Sequence, residues 1–521
     1  MYGGEDELHE FSIPAGLGRP TTVGSGVIVH ELDSLIVVQW RVRPGRRVLR
    51  FGSRLEVHLL WRNDAYNYWV LDLPAPPPLG LHVSPSRQNQ SVIVKAGYLV
   101  RSAEIFHNAL YLTGDINGTT DVEVISTPAR VSSLFFNGMK VNTQLIDDRL
   151  TGTVRFVTPA VVLPDLEALP WRYINSLPEL SSDYDDSLWT PCNHKVSNNP
   201  RNLSTPTSLY ASDYGYNTGS LLYRGHFIST GTETAFYLLV EGGYAFGYTV
   251  WLNSTYLGSW KGDAGEMFFD QTLSFPEGSL VCGKPYVLTV MMDHMGIDEN
   301  FPANVQIMKD PRGILDYDLY GRQKSDLSWK ITGNFGAERY ADLSRGPLNE
   351  GGTYAERQGY HLPGAPMSGW EIGSPFSEAP PASVRFFATT FDLQMPVGYD
   401  IPLSIVFRNS TYWDTTAILR VVIYVNGWQF GKYRKRQTLA CDLSKLILTV
   451  NHIGPQVRYP IPEGVLNYNG ENYLTMIMWA SENRPAKLQS LNLEIDAVIQ
   501  SGYRKPAFVR AEGYTERRDA Y

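Results

Sequence analysis

Val250-Trp251-Leu252-Asn253-Ser254-Thr255-Tyr256-Leu257-Gly258-Ser259-Trp260 and Ile423-Tyr424-Val425-Asn426-Gly427-Trp428-Gln429-Phe430-Gly431-Lys432-Tyr433 are two versions of one phrase. Each reads as strand, Asn-centred turn, strand, with a glycine five residues after the asparagine. β-Branched and aromatic residues suit a pleated surface, and Asn or Asn-Gly supplies the positive φ angles of a tight hairpin turn. A further strand precedes each copy, Leu222–Phe227 in one and Val384–Phe391 in the other. Another follows, Leu288–Met292 and Leu474–Met478. The same order twice is an internal repeat, and the number of strands suits a jelly roll. The second copy is longer between Asn426 and Leu474 than the first between Asn253 and Leu288. Residues 434–449, which include Cys441, read as that insertion.

Strand patterns continue towards the N-terminus. Val27–His30, Ser34–Trp40, Arg46–Phe51 and Leu55–Trp61 come first. Ser91–Lys95, Ala109–Leu112, Asp121–Ile125 and Val131–Phe136 follow. Asn137-Gly138 then predicts a type I′ hairpin turn. The run Pro74-Ala75-Pro76-Pro77-Pro78 reads as a linker, because proline cannot donate to a β-ladder. Between Asp165 and Leu180, Pro170 and Pro178 leave room for short helical turns only.

The expected fold is all-β and multidomain. A partial β-domain spans 1–80, a small β-sandwich 81–164, one jelly roll 165–379 and a second 380–521. Composition agrees: 31 Tyr, 21 Phe, 12 Trp, 46 Gly and 33 Pro in 521 residues suit short strands joined by turns.

A net charge of −8 without a basic stripe argues against nucleic acid, and the run Arg434-Lys435-Arg436 reads as a solvated loop. No apolar run is long enough to span a membrane as a helix. Met1–Glu10 is acidic and polar, unlike a secretory signal, so the chain taken as a whole product is expected to stay in the cell. Sequons at Asn89, Asn117, Asn202, Asn253 and Asn409 would suit a secreted glycoprotein. The three cysteines Cys192, Cys282 and Cys441 allow at most one disulfide, and the sequence leaves open whether Cys192 and Cys282 pair. No spacing suggests a metal, nucleotide or nucleophile-elbow site, so neither cofactor nor metal is expected.

Several strings resemble the fungal β-galactosidases of glycoside hydrolase family 35. They include Arg62–Val70, Val94–Arg101, Ser208–Ala211, Asp213–Tyr216, Leu222–Phe227, Arg345–Gly352 and Ile461–Tyr468. The resemblance runs from near residue 1 to Tyr521, broken only by the insertion. In that family a catalytic (β/α)₈ barrel precedes several β-domains. The resemblance therefore implies the C-terminal β-domains of an enzyme that releases terminal non-reducing β-D-galactose. The two glutamates that carry this chemistry sit on the barrel, and no residue here corresponds to either. The expectation is a chain inactive alone, partnered by a barrel in cis or in trans, with secretion as the destination of the full-length family. A galactoside- or carbohydrate-binding module, or an accessory interaction subunit, is the alternative.

A retaining glycosidase sets two carboxyl groups about 5–5.5 Å apart. Asp183, Asp185 and Asp186 lie in a Ser/Asp loop, where turn and cap roles are commonest. Asp298 and Glu299 are neighbours beside Asn300, and both groups read as structural or surface residues. Trp251, Trp260, Tyr424 and Trp428 could stack on sugars, but alternating strand aromatics read first as core. The stretch Asp293–Phe301 resembles a family loop that ends in Trp near the barrel mouth. The resemblance implies an outer-sugar contact at Phe301, which can stack but lacks the indole donor.

Overall fold

The hairpin predicted at Asn137-Gly138 is present, with φ of 49° and 78° at its two central residues and Phe136 paired with Met139 across it. The computed structural model describes residues 1–52, 55–73, 90–217, 219–262, 265–297, 310–334, 351–407, 418–434, 456–503 and 507–517. The Pro74–Pro78 run, the sequons at Asn89 and Asn409, Asp298, Glu299, Asn300, Phe301 and the insertion beyond Arg434 with Cys441 lie outside those residues. Strands dominate throughout, as the all-β reading expects.

The chain forms two compact units. One comprises Met1–Ala160, Pro396–Ile401 and Ala497–Lys505. Its first part is a three-stranded sheet, Leu8–Pro14, Leu35–Arg41 and Val27–Leu32, and a four-stranded sheet of Tyr2–Gly3, Leu55–Trp61, Arg47–Phe51 and Thr21–Val23. Ile36, Val38 and Trp40 alternate inward from the first sheet and meet Leu49, Phe51 and Leu59 of the second. Its second part is a sandwich whose core holds Val92, Val94, Leu110, Leu112, Val122 and Phe136. Tyr68–Leu73 pairs with Gln90–Lys95 in this sandwich. Ile499–Ser501, from far along the chain, also joins it by pairing with Asp115 and Ile116.

The other unit comprises Val161–Met395, Pro402–Asp496 and Pro506–Tyr521 and contains both repeats. The first has a six-stranded sheet centred on Gly219–Ile228 and Pro285–His294, and a three-stranded sheet of Phe268–Ser274, Ala235–Glu241 and Gly313–Leu319. The second repeats this with Val384–Gln394 and Asn469–Ala480 at the centre, and Arg458–Pro460, Leu403–Phe407 and Leu491–Ile495 in the smaller sheet. The outer neighbour of Gly219–Ile228 is Ser328–Thr332, later in the chain. The matching neighbour of Val384–Gln394 is Arg172–Asn175, which precedes the whole first repeat. The Asp165–Leu180 stretch thus supplies a strand where helical turns alone were expected, with a single 3-10 turn at Pro178–Leu180. The prolines flank the strand without entering its ladder.

The repeated phrase has a physical explanation. Asn253 and Asn426 both have φ of 49°. Each side-chain oxygen also accepts a backbone N–H from the adjoining central strand, Val287 at 3.0 Å and Tyr473 at 2.8 Å. The asparagine makes the turn and pins the hairpin to its neighbour. The glycine five residues on is set by packing: a Cβ at Gly258 would lie 2.3 Å from Leu273, and one at Gly431 2.4 Å from Tyr459. Leu273 and Tyr459 occupy equivalent strands of the two smaller sheets.

The larger sheets share a core. Leu222, Trp251 and Met291 of the first repeat pack with Phe386, Val422, Tyr424, Ile477 and Trp479 of the second. Strands covered on both faces read as nearly continuous apolar runs, which accounts for Leu288–Met292 and Leu474–Met478, each interrupted by one buried threonine, Thr289 and Thr475.

Candidate functional site

Strand Pro285–His294 carries the first repeat's core and ends at two ionisable residues. Asp293 is buried, and its carboxylate accepts from Arg420 Nη1 and Lys432 Nζ, each at 2.8 Å. Both partners belong to the second repeat. Burial alone would raise the carboxyl's pKa, but the charges of Lys432 and Arg420 outweigh it and hold it below its usual range. Arg420 also donates from Nη2 to the carbonyl of Ala245 at 2.6 Å. The cluster fixes the strand end to the neighbouring repeat.

His294 follows, only 1 % exposed. Its Nδ1 accepts the Gly296 N–H at 3.0 Å. Burial, and then the charge of Arg312, lower its pKa to about 4. The ring is therefore neutral near pH 7, and an accepting Nδ1 places the proton on Nε2. No described residue provides a partner for that Nε2.

His294 lines a cleft of about 820 Å³, together with His194, Asn198, Asn217, Asp310 and Arg312. Arg312 is committed to structure: it donates to Glu241 Oε1 and to the Gly296 carbonyl, both at 3.0 Å. Asp213, also on the wall, accepts from Ser208 at 2.5 Å and from Asn199 at 3.3 Å. The side chains of Lys195, Asn198, Asn217 and Asp310 make no hydrogen bond or ion pair among the described residues. The His194 ring stacks on Tyr214, with centroids 4.6 Å apart and planes 24° from parallel. The arrangement can offer donors and acceptors to a ligand. Ser212, the hydroxyl among its described lining residues, accepts from Asn199 at 3.5 Å and meets no described histidine or carboxylate in a hydrogen bond.

Three of the carboxylates singled out in the sequence, Asp183, Asp185 and Asp186, have structural roles. Asp183 accepts from Ser181, and Asp185 accepts the Ser187 N–H at 2.9 Å. Asp186 is buried among Arg224 at 2.5 Å, His226 at 2.7 Å and Lys330 at 2.9 Å. Burial opposes its charge, but the bonds from His226 and Lys330 hold its pKa far below the usual range. Trp251 and Tyr424 are buried in the core shared by the repeats. Trp260 stacks on Phe269 with centroids 3.8 Å apart, and Trp428 is half-buried. Cys192, buried, and Cys282, exposed, are both free thiols. Among the described residues no group of three or more His, Cys, Asp or Glu could hold a metal.

Of the stretch Asp293–Phe301, the described part brings His294 and Ile297 to the cleft. The opposite wall, His194–Asn199, went unnoticed in the sequence. It has no motif or periodicity, and only the fold brings it near residue 294.

Comparison with known proteins agrees with this architecture. Residues 1–68 match "Beta-galactosidase, domain 2" and residues 69–148 match "Beta-galactosidase, domain 3". Residues 184–298 and 354–484 match "Beta-galactosidase second all-beta domain". The probable β-galactosidase E of Aspergillus fumigatus is 50% identical over 525 aligned residues, covering 100% of this chain and 50% of the relative. The β-galactosidase A of a Penicillium species is 43% identical over the same shares of each chain. This chain thus spans about half the length of these curated relatives. A solved family 2 β-glucuronidase overlaps 64% of this chain and 31% of its own at 10% identity, with a TM-score of 0.17, too slight to bear on the fold. The chain belongs to the β-galactosidases, as their domain 2, domain 3 and second all-β domain.

Proposed function

We propose that this chain is the non-catalytic β-domain portion of a β-galactosidase, whose hydrolysis of terminal β-D-galactose is done by a catalytic domain outside these 521 residues. One observation carries the reading. The chain matches a probable β-galactosidase over its whole length while covering half of that relative, and its described residues form β-sheets whose candidate carboxylates serve turns and ion pairs. Leu8, Ile28 and Leu32, exposed on the outer side of the N-terminal three-stranded sheet, give such a domain apolar surface to cover.

The test is hydrolysis of a chromogenic β-galactoside by the purified chain, beside a full-length relative. No turnover by the chain is expected. Turnover at a rate near that of the relative refutes the reading and returns attention to Asp186 and its neighbours.

The proposal extends to two further points. Phe301 serves as an outer-sugar contact at the mouth of the catalytic domain. Phe301→Ala in a full-length protein is then expected to raise KM for oligosaccharides and leave kcat for a simple galactoside unchanged. Secretion is the second. Asn117 and Asn202 are exposed, and expression through a secretory host should give a chain that loses mass on enzymatic removal of N-glycans.

A further inference from the structure

We propose that the cleft beside His294 is a binding subsite for a neutral saccharide. The site deepens the reading above by naming a ligand class for the β-domains themselves, and its test is binding, so it can fail while the assignment as a non-catalytic portion stands.

Three observations converge. The first is the buried imidazole. A polar side chain that is almost wholly out of water usually finds a partner, since an unmade hydrogen bond in the interior is costly. His294 satisfies Nδ1 through Gly296 and lines the cleft, and its Nε2 has no partner among the described residues. The buried pair Asp293–Arg420 anchors the preceding residue, so the ring is held in place before any ligand arrives. The second is the charge of the walls. Lys195 and Arg312 face Asp213 and Asp310, two cations against two anions, with His294 neutral. A phosphate would meet two carboxylates, and an ammonium would meet the lysine. A ligand made of hydroxyl groups, each both donor and acceptor, meets neither penalty. The third is the supply of uncommitted polar groups. Lys195, Asn198, Asn217 and Asp310 are free to bond a ligand, and Ile297 gives an apolar surface for the C–H face of a pyranose. A cleft of about 820 Å³ is large enough for a disaccharide.

The experiment is isothermal titration of the intact chain with lactose, and with maltose and sodium phosphate as comparison probes. Lactose or maltose is expected to bind, and phosphate is not. The double variant N198A/N217A alters two exposed residues and is expected to keep the parent melting temperature while weakening sugar binding at least fivefold. H294L removes the Nε2 donor without supplying another and is expected to weaken binding by a similar factor, with folding checked by circular dichroism. Failure of both sugars to bind at tens of millimolar overturns the proposal. So does sugar binding that N198A/N217A leaves unchanged, or phosphate binding in the same cleft.

Discussion

Replacing Asp293 by Asn keeps the size of the side chain and removes the charge that faces Arg420. Arg420 is nearly as buried as Asp293 itself, and its remaining partners are the carbonyls of Ala245 and Lys261. Its guanidinium would then sit in the interior without a counter-charge, a loss of about 3–5 kcal/mol by the usual cost of breaking a buried pair from one side. Lys432 is more exposed and can turn its ammonium to water, so it adds little to the loss. Arg420→Met alone leaves Asp293 with Lys432 only and is expected to cost a comparable amount. The double variant removes both charges and puts a flexible apolar chain beside Trp479, over which the guanidinium lies at 5.8 Å. It is expected to cost less than the sum of the singles by about 1–3 kcal/mol. Urea unfolding followed by tryptophan fluorescence measures this directly, because Trp251 and Trp479 lie in the core between the repeats. Additivity within about 0.5 kcal/mol would refute the claim that this pair couples the two repeats.

His294 predicts a pH dependence. Its folded pKa is lowered to about 4 against about 6.5 unfolded, so the unfolded chain binds the extra proton. The stabilisation is complete above pH 6.5 and is lost as pH falls towards 4, about 3 kcal/mol in all. H294Q should flatten the slope of stability against pH in this window, and an unchanged slope means the ring is not held neutral. Gly431→Ala drives a methyl into Tyr459 and should cost about 1–3 kcal/mol, measured by urea titration, whereas Gly369→Ala, where no atom lies within 4 Å of the added carbon and φ is not positive, should leave stability nearly unchanged. Brief alkylation of the native chain should modify Cys282 and spare Cys192, whose thiol is buried with its pKa pushed up. Peptide mass spectrometry reads the two sites apart, and equal labelling would mean that Cys192 is exposed.

The hairpins, the repeat and the all-β class were legible in the sequence because they rest on short-range rules. Asn253 and Asn426 are turn residues at the level of their own φ angles, and alternation such as Ile36, Val38 and Trp40 marks an inward face without knowledge of what it faces. The reason for Gly258 and Gly431 was not legible, since Leu273 and Tyr459 approach from other strands. Nor was the destination of Arg172–Asn175 or Ile499–Ser501. An open sheet edge asks only for backbone donors and acceptors, which nearly every residue carries, so local pattern cannot say which distant segment will complete it. The cleft is the same case. His294 ends a strand that the pattern predicts, but its facing wall at His194–Asn199 has no signature of its own. Sequence marked most of the strands and their turns, and tertiary structure made Arg172–Asn175 a strand and decided which strands and side chains meet, because pairing and packing depend on neighbours that are remote along the chain.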